Sequence, residues 1–260
     1  MIIFFSGTGN SRHVAQALGK ELGESNIVEL TGDFLRYPEQ LRLESEEGGR
    51  VIWVFPTYSW GVPPVVAEVI SKVNIDGGER ADHYMVTTCG DDIGKCHMQW
   101  RNLISGRRWK PLATFSVQMP NTYVCMKGFD VDPEQVAMEK IHESVMRVHS
   151  IAEFIKQRYK IDDVVEGRWP KIKTRYIYPY FKKHYMNPSG FHVSETTCIS
   201  CGKCSRNCPM DNIELKGKFP VWGAVCAFCL RCYHGCPVHA IEYGNSTVGK
   251  GQYMFPKKEK

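Results

Sequence analysis

The sequence predicts a doubly wound parallel α/β sheet of five strands, followed by a small α+β domain rich in cysteine. Three observations lead there. Short apolar strands alternate with amphipathic helices up to about residue 160, the pattern of parallel strands with helices on both faces. The run Val51 to Phe55 is apolar without interruption, as a strand buried on both faces must be. Eight of the eleven cysteines then fall in two copies of one spacing near the C-terminal end.

In order, the strands are expected at Ile2 to Phe5, Ile27 to Leu30, Val51 to Phe55, His83 to Thr88 and Leu112 to Gln118. Helical periodicity spans Ser11 to Leu22, Pro64 to Val73, Asp92 to Ile104, and a long stretch from Asp132 to Tyr159. Pro63 and Pro64 suit the start of the second helix. Asp132 reads as the N-cap of the fourth, with Pro133 at its first position. This first domain occupies residues 1–160. Residues 161–190 break the pattern with Pro, Lys, Arg and Tyr, and read as a basic aromatic connector. Its Trp169, Tyr176, Tyr178, Tyr180, Phe181 and Tyr185 are expected to pack between the domains. A cysteine-rich domain follows over 191–245, then a tail, 246–260, expected to be exposed.

The cysteine runs are Cys198, Cys201, Cys204, Cys208 with Pro209, and Cys226, Cys229, Cys232, Cys236 with Pro237. Each reads C-x2-C-x2-C-x3-C-P, the bacterial iron–sulfur run, whose fourth cysteine serves the other cluster when two runs are present. The expected sets are Cys198, Cys201, Cys204 and Cys236 for cluster I, and Cys226, Cys229, Cys232 and Cys208 for cluster II. Zinc is the rival, but its tetrads use two C-x2-C pairs across a longer spacer. An odd count and an N-terminus without a basic n-region and full apolar h-region speak against a secreted disulfide framework. Reduced thiols fit a cytoplasmic, anaerobic setting.

The turn after the first strand, Ser6-Gly7-Thr8-Gly9-Asn10-Ser11, opens directly into a helix. Its small and hydroxyl residues form a phosphate cradle of backbone N–H groups and Ser/Thr donors. It lacks the GK[ST] ending of a Walker loop and the third glycine of a dinucleotide fingerprint. Two more turns follow strand ends: Pro56-Thr57-Tyr58-Ser59-Trp60-Gly61, and Thr87-Thr88-Cys89-Gly90-Asp91. Open α/β sheets place ligands at such ends, and Tyr58 and Trp60 suit stacking on a flat ring. Met119 to Tyr123 borders the same crevice, with Asn121 and Tyr123 as contacts. An unliganded strand–helix turn uses Gly and Ser too.

These three turns resemble the flavin-binding loops of flavodoxins over residues 1–160, and the paired runs resemble two-cluster bacterial ferredoxins over 191–243. The whole order is similar to flavodoxin–ferredoxin fusion proteins. The resemblance implies FMN on the first domain and two 4Fe-4S clusters on the second. It places Ser6, Gly7, Thr8, Gly9, Asn10 and Ser11 at the phosphate, Tyr58, Ser59, Trp60 and Gly61 beside the ring, and Thr88, Cys89, Gly90 and Asp91 on its other side. Flavodoxins usually carry an aromatic shortly after the CGD turn; here Asp92, Ile93, Gly94 and Lys95 follow, leaving the second ring face open or covered by Tyr123 or the connector. The function implied is electron transfer between flavin, clusters and a redox partner. The alternative is a flavin-dependent reductase of a quinone or enone. No stretch reaches the ~20 apolar residues of a membrane span. The net charge is +5, with Lys and Arg crowded over 156–183; a basic aromatic stretch suits nucleic acid or a membrane surface, but with no nucleic-acid motif it reads as an inter-domain segment with a solvated face.

Overall fold

The computed structural model describes residues 1–46 and 48–256. The strands of the first region are β1 Ile2–Phe4, β2 Ile27–Glu29, β3 Arg42–Glu44, β4 Arg50–Pro56, β5 Asn74–Asp76, β6 Asp82–Cys89, β7 Lys110–Gln118 and β8 Asp162–Asp163. Six of them form one all-parallel sheet in the order β2-β1-β4-β6-β7-β8. Its five principal strands follow the flavodoxin-like order, with a switch point between β1 and β4. The sixth strand corrects the expectation of five. β8 is two aspartates, fastened through Asp162 to Thr114 at 2.6 Å and Arg101 at 2.5 Å, and through Asp163 to Arg147 at 2.5 Å. Ion pairs rather than apolar alternation hold it, so periodicity gives no sign of it. β3 and β5 form a separate parallel pair, also largely polar.

Strand alternation divides the core in two. Ile3, Phe5, Trp53, Phe55 and Met85 face the helices Pro64–Lys72 and Cys96–Gly106 through Val69, Ile70, Trp100 and Ile104. Ile2, Phe4, Ile52, Val54 and Phe115 face the helices Asn10–Leu22 and Glu134–Lys156 through Val14, Leu18, Ile151 and Ile155. Two helix starts differ from expectation. Pro133, not Asp132, precedes the long helix, because the Asp132 carboxylate accepts from Asn121 N at 3.0 Å and Lys140 Nζ at 2.7 Å. The helix expected from Asp92 begins at Cys96, after a turn in which Asp92 accepts from the Gly94 amide and Gly94 adopts φ +54°.

At the amino end of the sheet, the buried His83 ring accepts from Trp53 Nε1 at 3.2 Å and reaches Gly78 O at 2.9 Å, which fixes a neutral imidazole. Burial lowers its pKa to about 4. The unfolded chain takes up the proton first, so this stability is complete above the unfolded value and is lost as pH falls through about 4. Urea denaturation between pH 6.5 and 4 should show a loss of about 3 kcal/mol from this site. A His83→Gln variant, whose side chain does not titrate, should lack that step.

The second region has β9 Phe191–Val193, β10 Ile213–Lys216, β11 Phe219–Trp222 and β12 Ile241–Tyr243, paired antiparallel as β9·β12 and β10·β11. The internal repeat is visible in the backbone. Ser200, Gly202 and Asp211 in the first copy, and Phe228, Leu230 and His239 in the second, all take positive φ. A short helix sits in each copy, Lys203–Arg206 and Arg231–His234. Phe191, Phe228, Leu230, Tyr233 and Ile241 form a third core with Phe181, Val124 and Cys125. Trp222 stacks on Phe191 at 5.8 Å.

Two expectations about the linking segments change. Of the connector aromatics, Tyr178 and Phe181 are buried and Tyr185 half-buried, but Trp169, Tyr176 and Tyr180 face solvent. One helical stretch, 170–184, has only one inward face, so its other rings cannot pack between the domains. The segment 246–256 is not a free tail. Tyr253 Oη meets Asn10 Oδ1 at 2.9 Å, the Phe255 amide donates to Thr8 O at 2.8 Å, and the Phe255 ring stacks on His13 at 4.2 Å. Residues 257–260 lie outside the described residues.

Candidate functional site

The first site lies at the carboxyl ends of β1, β4 and β6. A crevice of about 100 Å³ is lined by Ser6, Gly7, Thr8, Asn10, Ser11, Pro56, Thr57, Tyr58, Thr88, Cys89, Gly90, Met119, Asn121, Thr122, Tyr123 and Cys229. Of the residues in the three turns, Gly9, Ser59, Trp60, Gly61, Thr87 and Asp91 do not line this crevice; the others do, together with Asn121 and Tyr123. Gly9 shapes the loop with φ +107°. Ser59 and Trp60 take positive φ in a tight turn closed between Tyr58 and Gly61. That turn sends the Trp60 ring to the connector, where Lys173 Nζ lies 4.9 Å from its centroid, instead of into the crevice. Asp91 offers its carbonyl to Gln118 Nε2 at 2.8 Å.

The loop is pre-organised by its own polar groups. Ser6 Oγ accepts from the Gly9 amide at 3.2 Å, Asn10 Nδ2 donates to Pro120 O at 2.9 Å, and Ser11 Oγ meets Thr88 Oγ1 at 2.8 Å. The amides of Asn10 and Ser11 open a thirteen-residue helix and, as at any helix start, find no intrahelical acceptor. On the far wall, the hydroxyls of Tyr58 and Tyr123 are buried and have no protein partner. Both rings line the crevice, while the Tyr123 hydroxyl is set among Cys125, Tyr185 and Tyr243 of the third core and the Tyr58 hydroxyl lies toward Cys226 and Cys229. Tyr123 is backed edge-on by Phe129 and by Phe181 of the connector, each at 5.6 Å. Burial, with Asp92 and Asp91 nearby, raises the Cys89 thiol to about 12, so it stays protonated.

The cysteine runs surround two further cavities. One is lined by Cys198, Cys201, Cys204 and Cys236, the other by Cys208, Cys226, Cys229 and Cys232. Each wall therefore takes three cysteines from one run and the fourth from the other. Among the described residues, no group of three or more His, Cys, Asp or Glu side chains is placed to hold a metal ion. Backbone amides point at sulfur in matching places: Asn212 N to Cys208 Sγ at 3.4 Å, and Ala240 N to Cys236 Sγ at 3.2 Å. The nearby histidines bond elsewhere. His234 reaches Thr122 O at 2.8 Å, His239 reaches Tyr233 Oη at 2.9 Å, and His192 reaches Gly190 O.

The two sites meet at Cys229, which lines both the crevice and the second cysteine cavity. Gly7 permits the contact: a Cβ there would collide with the Cys229 carbonyl and lie 3.2 Å from its Cβ. Arg231, two residues on, donates to Gly7 O at 2.9 Å and Ser6 O at 2.5 Å, and pairs with Glu29 at 3.2 Å. The Gly32 amide donates to Pro209 O at 2.7 Å. Tyr58 stands between the sites; burial, then Cys229 and Cys226, push its phenol well above the ordinary range, with Arg231 opposing. The sequence carries no sign of Cys229 in the crevice wall, or of Arg231 and Tyr253 at the Ser6 to Ser11 loop, since nothing local in a cysteine run or a tail says which loop it will touch.

No protein-family model matches the chain, and no curated protein matches it. Among solved structures, a Trp repressor binding protein from Bacillus subtilis is 11% identical, with 58% of this chain and 95% of that one covered, at a TM-score of 0.39. An NAD(P)H:quinone oxidoreductase from Methanothermobacter marburgensis is 12% identical over 60% of this chain and 96% of its own, at 0.34. The rubredoxin oxygen:oxidoreductase of Desulfovibrio gigas is 12% identical over 60% and 36%, at 0.35. Likeness at this level says nothing about the activity of this chain.

Proposed function

We propose that the chain is an iron–sulfur flavoprotein that moves electrons between FMN in the crevice and two 4Fe-4S clusters, and on to a redox partner. The observation that carries the reading is Cys229, a wall of both the crevice and the second cysteine cavity. The crevice suits FMN on three counts. The Ser6 to Ser11 loop offers amides and hydroxyls to a terminal phosphate. The Tyr58 and Tyr123 rings line it and offer aromatic surface to a flat ring. A Cβ at Gly90 would collide with Asn121, so the wall between β6 and the 119–123 loop is close-fitting. The cysteine cavities suit clusters because each is lined by three cysteines of one run and the fourth of the other, and because left-handed residues at matching places curl each run.

Bound FMN would accept electrons in pairs and give them up singly, which one-electron clusters can take. The protein's part is positional. Ser6, Thr8, Asn10 and Ser11 would hold the phosphate, and Tyr58 and Tyr123 would orient the ring. Cys226, Cys229, Cys232 and Cys208 would hold the cluster on the flavin side, and Cys198, Cys201, Cys204 and Cys236 the outer one. Protein purified without oxygen should be brown, carry about eight irons per chain, and release FMN. Stoichiometric zinc with little iron, or FAD in place of FMN, would overturn the reading.

A further inference from the structure

The connector helix carries an exposed face that the redox reading does not use. From Gly167 to Gly190 the chain has six Lys and Arg residues and no Asp or Glu. Across 170–184 the inward side chains are Thr174, Tyr178 and Phe181. Outward, Ile172 is 51% exposed, Tyr176 64% and Tyr180 57%, and Trp169, just before the helix, is 63% exposed. Arg168, Lys171, Arg175, Lys182 and Lys183 flank them in sequence, and among the described residues none has a carboxylate within ion-pair distance. The carboxylates nearest the helix are already engaged, Asp92 with Lys173 and Glu166 with Lys95, each at 2.6 Å.

We infer that this face docks on an anionic membrane surface. Trp and Tyr rings settle at the headgroup level, and Ile adds apolar contact below them. Lys and Arg reach past the rings to lipid phosphates. None of the cavities described above is lined by Trp169, Ile172, Tyr176 or Tyr180. Lysine is depleted at the centres of protein interfaces, which disfavours an acidic protein as the occupant. The surface is also firmly mounted. Thr174 Oγ1 donates to Trp60 O at 2.8 Å, and Tyr178 Oη donates to Val62 O, so the helix is pinned to the turn that borders the crevice. Among the described residues no helix is long and apolar enough to cross a membrane, so the contact is peripheral.

The test is sedimentation of the full-length protein with phosphatidylcholine vesicles containing phosphatidylglycerol, against phosphatidylcholine alone. Binding is expected only to the anionic vesicles and should weaken as salt is raised. Lys182→Glu with Lys183→Glu should lower the partition coefficient by more than about twentyfold. Trp169→Ser with Tyr176→Ser should lower it by about fivefold or more, with salt dependence retained. All four side chains are exposed, and circular dichroism would verify that the variants fold. Failure to sediment with anionic vesicles, equal binding by both variants and wild type, or tighter binding to an acidic protein or to DNA than to vesicles would overturn the inference.

Discussion

If the proposed clusters are present, replacing Cys208 with Ala is expected to cost about four of about eight irons per chain, and they should come from the cavity of Cys226, Cys229 and Cys232. Cys208 follows Cys204 by four residues, yet it lines the cavity of the other run, while Cys236 crosses in the opposite direction. The chain has turned by then: a short helix ends at Arg206, and Pro209 prevents its continuation. A Cys198→Ala variant should lose the complementary four irons. Iron analysis with electron paramagnetic resonance on the two variants separates the cases. If both variants lose the same signal, the crossed arrangement is wrong, although a cluster function would survive.

Gly7→Val is expected to weaken FMN binding by at least about tenfold and to destabilise the fold by about 2 to 3 kcal/mol. Gly7 needs no left-handed backbone; what it provides is room for the Cys229 carbonyl. Any side chain there must push the cysteine loop off the phosphate loop, dislodging Arg231 from Ser6 O and Gly7 O as well. Gly106→Ala is the control, because an added Cβ there meets nothing within 4 Å. Flavin fluorescence titration and thermal melting report both quantities. An unaffected Gly7→Val protein would mean that the two regions do not touch as described.

Local patterns carried much of this molecule. The apolar run Val51 to Phe55 and the strand expected at His83 to Thr88 fall inside β4 and β6, and the small-residue loop at Ser6 to Ser11 opens the first helix, which starts one residue early at Asn10. What escaped was set by contacts far apart in the chain. Arg231 meets Ser6 across 225 residues and Tyr253 meets Asn10 across 243, and neither leaves a periodic trace. β8 escaped because Asp162 and Asp163 are held by charge. Trp60 fitted a stacking role by type and position, but the positive φ values at Ser59 and Trp60 turn it toward Lys173. Aromatic content alone suggested that all six connector rings would pack between the domains. A single helix buries one stripe, and Trp169, Tyr176 and Tyr180 lie on the other.

The central claim is that flavin and clusters share one electron pathway joined at Cys229. Anaerobic reductive titration of the intact protein, followed by its visible spectrum, tests it most directly. FMN takes two electrons and each cluster one, so uptake of about four electrons per chain is expected, with flavin and cluster bands bleaching in equilibrium with each other. Uptake of about two electrons with only flavin bleaching, or of none, would contradict the account.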